Sequence, residues 1–135
     1  MIKLLWDKSY ELGIAEIDAQ HKEFVSALND LITNIADNSA DKDTMHKIFQ
    51  KIENYTIFHF TTEERYFDLF QYEGALEHKK AHKEFIEQFK QIQTQYETQT
   101  VDATFHLAEF LENWLINHLM TMDKKYVACF HEHGL

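Results

Sequence analysis

The sequence predicts an all-α fold: an up-down-up-down four-helix bundle with an N-terminal arm and a short C-terminal helix. The chain has no proline and only three glycines in 135 residues, so little in it breaks a helix. Apolar residues recur at i, i+3, i+4 and i+7 through four segments of about 20 residues, each ~30 Å long as a helix. The connections between them are short, which makes successive helices antiparallel neighbours. One domain over residues 1–135 is expected, burying roughly 68% of its unfolded surface. With 44% hydrophobic and 14% aromatic residues, it fills a core without disulfides.

Residues 1–17 keep no sustained period and contain Gly13. They read as an extended arm whose Trp6, Tyr10, Leu12, Ile14 and Ile17 lie over the domain. Asp18 offers an N-cap for a first helix over residues 19–37, where His21, Phe24, Val25, Leu28, Leu31, Ile32 and Ile35 form one stripe. Asp41 or Asp43 can cap a second helix. Its inner stripe runs through Met45, Ile48, Phe49, Ile52, Tyr55, His59, Glu63, Tyr66 and Phe67 before Gln71 to Gly74 interrupt it.

A third helix, about 75–97, carries His78, Ala81, His82, Phe85, Phe89, Ile92 and Tyr96 on one side. A fourth begins near Asp102 and turns Phe105, Ala108, Leu111, Trp114, Leu115 and His118 inward, with a continuation to about Phe130. His46 and His106 fall on outer faces, and His131 and His133 on a solvated tail.

A formal net charge of −10, from 13 basic and 23 acidic residues, repels a phosphate backbone, and Lys79, Lys80 and Lys83 alone make no basic patch. Nucleic acid is therefore not an expected partner. The lone Cys129 cannot pair within the chain. The apolar start ends at Trp6-Asp7-Lys8, short of a signal peptide's core, and no segment reaches the ~20 apolar residues of a membrane span. A cytoplasmic location is the expectation.

Chemistry concentrates in five histidines and two carboxylates on the inner faces: His21, His59, Glu63, His78, His82, His118 and Asp123. Residues four apart differ by about 40° around a helix, so His59 with Glu63, and His78 with His82, each aim two donors at one point. Burying so many ionisable groups without partners would cost several kcal/mol for each ionised one, more than a marginally stable domain absorbs. Metal coordination removes that cost. Seven donors exceed the needs of one ion and suit two ions bridged by carboxylates, and imidazole without thiolate suits iron, copper, nickel or zinc. Asp123, five residues after His118, lies about 140° from it on a regular helix. An i→i+5 turn would unite them, so a π-bulge or a break is predicted between Asn117 and Lys125.

The spacing from His21 through His59-x-x-x-Glu63, His78-x-x-x-His82 and His118-x-x-x-x-Asp123, with Ile17-Asp18-Ala19-Gln20-His21 and Trp114-Leu115-Ile116-Asn117-His118, resembles the hemerythrin family over nearly the whole chain. The long stretch between His21 and His59 resembles its single-domain bacterial type, bacteriohemerythrin. The resemblance implies two non-haem iron ions with a bridging oxo or hydroxo group and reversible dioxygen binding for storage, buffering or delivery. By position, His78, His82 and His118 would bind one iron, and His21 and His59 the other. Glu63 and Asp123 would bridge, leaving one coordination position open for dioxygen.

Phe24, Phe60, Trp114, Leu115 and Leu119 would line a dry oxygen pocket. No catalytic residue is implied. An oxygen-consuming enzyme or a sensor partner is the protein contact in view, since sensing of oxygen, redox state or nitric oxide is the alternative role. A di-iron oxidase ranks lower, because such bundles use paired Glu-x-x-His motifs and this chain has none.

Overall fold

The computed structural model describes residues 2–39, 41–99 and 102–135. After a 3₁₀ turn at Lys8–Tyr10 come α1 (Ala15–Ala36), α2 (Lys42–Leu69), α3 (Ala75–Thr98) and α4 (Ala103–His118). A π-helical turn, Leu119–Asp123, leads into α5 (Lys124–Glu132). Helix α1 packs on α2 and α4, and α3 packs on the same two, closing the four into the expected bundle. Among the described residues no helix is long and apolar enough to cross a membrane.

Helix starts follow the capping chemistry of the sequence, with one exception. Asp41 accepts a hydrogen bond from the Thr44 N–H at 2.8 Å, and Asp102 accepts one from Phe105 at 3.4 Å, each satisfying a donor that a helix start leaves unpaired. Asp18 does not cap α1, which begins earlier, at Ala15. Its carboxylate instead accepts from the Leu12 and Gly13 N–H groups at 2.8 and 3.1 Å. It thereby ties the arm to the first turn where Gly13 takes a positive φ of 78°. Upstream, Asn29 both accepts from the Leu4 N–H and donates to the Leu4 carbonyl, at 2.8 Å each.

The core has three layers along the bundle. At one end Leu28, Leu31, Met45, Phe49, Phe89 and Leu107 are almost wholly buried, with Phe49 edge-on to Phe89 at 5.7 Å. At the other end α5 folds back so that Tyr126 stacks on Phe130 at 4.2 Å and both rings meet Phe67. Each such side chain contributes roughly 1.5–3 kcal/mol on leaving water. The polar layer lies between these two apolar plugs.

Phe105 departs from the expected inner stripe of α4: it is 43% exposed, and Leu107 holds the core position instead. Phe105 precedes Leu111 by six residues, which puts it about 120° off that residue's direction. On α2, likewise, Tyr55 and Tyr66 sit at the margins of the stripe, while Thr56 and Phe60 are buried.

Candidate metal centre

All seven expected donors are buried, none more than 6% exposed. They form two clusters, Glu63 with His78, His82 and His118, and His21 with His59, Glu63 and Asp123. Within each, the donor atoms lie within 4.8 Å of one another. Helical spacing accounts for most of this. His59 and Glu63 share a face of α2, placing Nε2 3.0 Å from Oε1, and the His82 Nε2 reaches the same oxygen at 3.2 Å from α3.

Asp123 joins the site through the predicted i→i+5 turn. The π-helical stretch Leu119–Asp123 adds about one residue to the turn and swings the carboxylate inward. Its Oδ1 lies 3.0 Å from both the His78 and His118 Nε2 atoms, and its Oδ2 lies 3.0 Å from the His21 Nε2. One carboxylate thus faces both clusters.

The fit to metal ions rests on how these atoms face each other. The His78 and His118 Nε2 atoms approach to 2.9 Å, and with Asp123 Oδ1 they make a triangle of about 3 Å sides. Donors about 2.1 Å from an octahedral ion stand about 3 Å apart. Both Glu63 oxygens, Asp123 Oδ1 and the His82 Nε2 are buried at these short separations yet make no hydrogen bond of proper geometry. Buried polar atoms rarely go unpaired. Lone pairs converging on a common point are what a cation would satisfy.

Outer contacts fix two of the rings. The His59 Nδ1 lies 2.6 Å from Gln20 Oε1, and the His82 Nδ1 lies 2.8 Å from Glu64 Oε2. Both partners only accept, so each ring donates from Nδ1 and keeps the Nε2 lone pair for the centre. The Gln20 amide is oriented in turn, because its NH₂ donates to Thr62 Oγ1 at 3.2 Å and Thr62 donates to the Phe58 carbonyl at 3.0 Å. Gln20 and Glu64 escaped the sequence reading. Gln20 left one signal, its place beside His21 in the Ile17-Asp18-Ala19-Gln20-His21 run, and the structure buries it to 5% exposure.

Electrostatics tell the same story in the metal-free chain. Burial raises Asp123 and Glu63, but the surrounding imidazoles outweigh it and hold both carboxyls below the usual range. Burial lowers His82, yet the negative Glu63 and Glu64 carboxylates beside its ring push it up to about 9. His118, where burial dominates, is lowered. Protons on some rings balance the carboxylates where a cation would otherwise do so.

Beside the His21 and His59 side lies an enclosed cavity with about 10 Å³ of room for the centre of a water-sized molecule. Phe24, Phe60, Trp114 and Leu115 line it, together with His21, His59, His118, Asp123 and Thr56. Leu119 is buried but lies outside this wall, since it is turned about 100° from His118 whereas Trp114 and Leu115 precede that histidine by four and three residues. Phe60 stacks on His82 at 3.7 Å and Trp114 on His118 at 4.1 Å, so the wall also braces donor rings. His46, His106, His131 and His133 are exposed, away from the centre.

Known proteins resemble this chain over most of its length. The chain is 28% identical over 126 residues to the bacteriohemerythrin of Stenotrophomonas maltophilia, covering 93% of this chain and 80% of that protein. It is 30% identical over 122 residues to the myohemerythrin of Riftia pachyptila, covering 90% and 89%. It is 29% identical over 127 residues to the bacteriohemerythrin of Pseudomonas aeruginosa PAO1, covering 94% and 81%. The profile of the hemerythrin HHE cation binding domain matches residues 12–130, and with that match the chain belongs to the hemerythrin family.

Proposed function

We propose that this protein binds dioxygen reversibly at two non-haem irons, as a store, buffer or delivery protein and not as an enzyme. One observation carries the reading: two donor clusters share a buried carboxylate, and the one with fewer imidazoles borders an enclosed, largely apolar cavity. His78, His82 and His118 would hold one iron and His21 and His59 the other, with Glu63 and Asp123 spanning both. When bound, the iron pair supplies the two electrons that dioxygen binding draws on.

The chain's own residues do the rest. Gln20 and Glu64 hold the His59 and His82 rings with Nε2 inward. Phe24, Phe60, Trp114 and Leu115 exclude the water and protons that would turn binding into irreversible oxidation. The cavity wall contains no ionisable side chain outside the donor set, which suits binding without turnover. A reducing cytoplasm would keep the irons ready for dioxygen, and an oxygen-consuming enzyme is a fitting recipient. The test is optical: iron-loaded protein is reduced under nitrogen, exposed to air and degassed. Absorption that appears and then bleaches supports a carrier. Absorption that persists after degassing contradicts it.

A further inference from the structure

Thr56 is buried like Thr62 on the same helix, but its hydroxyl is not tied to the helix backbone. Thr33, Thr62, Thr94 and Thr121 each donate to the carbonyl four residues back, at 2.9, 3.0, 3.1 and 2.6 Å, the usual way a helix satisfies a buried or half-buried hydroxyl. The Thr56 hydroxyl makes no such bond and has no other partner, although the residue is only 1% exposed. It lines the enclosed cavity beside His21 and His59, the one hydroxyl in a wall otherwise made of donor side chains and of Phe24, Phe60, Trp114 and Leu115. An unpaired buried hydroxyl destabilises a fold, and the cavity that its residue lines has space for a molecule of about water's size.

We propose that Thr56 is a ligand-contacting residue, its hydroxyl donating a hydrogen bond to a diatomic or linear triatomic acceptor held in the cavity. This rests on the proposed function for the identity of the cavity's occupant, and adds a polar contact to a pocket the sequence presents as purely apolar. Thr56 sits one helical turn before His59 on α2, which places the donor on the side of the centre with fewer imidazoles.

Azide, a small linear anion, is the probe, titrated into oxidised iron-loaded native protein, Thr56→Val and Thr56→Ser. A hydrogen bond to a charged acceptor corresponds to about a tenfold change in affinity or more. Thr56→Val should therefore bind azide at least about tenfold more weakly, while Thr56→Ser stays close to native. Thr56→Val with native affinity, or Thr56→Ser weakened as much as Thr56→Val, overturns the proposal.

A second arm needs no iron. Because valine matches the shape and removes the unpaired hydroxyl, iron-free Thr56→Val should melt a few degrees above iron-free native protein. A lower melting temperature, or failure to fold, would mean the hydroxyl is satisfied within the fold, and overturns the proposal as well. Native protein that takes up no iron would instead strike the proposed function, and the iron-free arm would still decide the role of Thr56.

Discussion

The two halves of the centre differ in what surrounds them. Three imidazoles, from His78, His82 and His118, converge on one side under a cover of stacked rings, with Phe60 on His82 and Trp114 on His118. The other side has two, His21 and His59, and borders a cavity. Their supports differ too: His82 leans on the charged Glu64, His59 on the neutral Gln20. The contrast teaches that the apolar and polar parts of the bundle divide the work. The enclosed cavity meets both imidazoles of the two-histidine side but only His118 of the other three, so room beside the centre is weighted toward His21 and His59.

The hardest way to break this contrast is to remove what both halves share. Asp123→Ala takes away the carboxylate whose two oxygens face His78 and His118 on one hand and His21 on the other. It should abolish stoichiometric iron binding altogether, checked by metal analysis, and bring the melting temperature down to that of iron-free protein. His21→Ala should cut less deep, leaving the three-imidazole side able to keep one iron per chain.

Next come the supports. Glu64→Leu and Gln20→Leu should each weaken iron binding by about 10–100-fold, as loss of an outer hydrogen bond to a metal-bound histidine does elsewhere. The two should act on different irons, which site-resolved spectroscopy of iron-57-loaded variants can check.

Acid and base sharpen the comparison further. In iron-free protein the raised His82 contributes stability that is fully present below its ordinary value of 6.5 and lost as pH rises through about 9. Asp123, held low, contributes stability present above 3.8 and lost as pH falls. The melting temperature of iron-free protein should thus decline from pH 6.5 to about 9. Iron-loaded protein, whose ligands must be unprotonated, should hold steady there and fail in acid. A flat iron-free profile would contradict this. The smallest effect is expected at Phe105, exposed on the outside of α4: Phe105→Ser should change stability within about 0.5 kcal/mol, against about 2–5 kcal/mol for Leu111→Ala in the core, both read by denaturant melts.

What could be read from the sequence follows from the physics of each feature. Helical period places side chains on a face, so the His59–Glu63 and His78–His82 pairs were legible, as was the need for an i→i+5 turn before Asp123. Period does not say where an aspartate's carboxylate turns: Asp18 bonds back into the arm instead of capping α1, because Leu12 and Gly13 present unpaired N–H groups to it. Nor does it locate the edge of a stripe within one residue, which is why Phe105 lies outside and Leu107 inside. Gln20, Glu64 and Thr56 stayed hidden because their roles depend on which neighbour's polar atom meets theirs in three dimensions, and no spacing rule carries that.

An unequal pair of irons is tested most directly by Mössbauer spectra of iron-57-loaded protein, taken reduced and then oxidised with and without azide. Two irons per chain in distinct environments, with only the one on the His21 and His59 side altered when azide is added after oxidation, is the result expected. A single iron per chain, or two that respond alike, would contradict it.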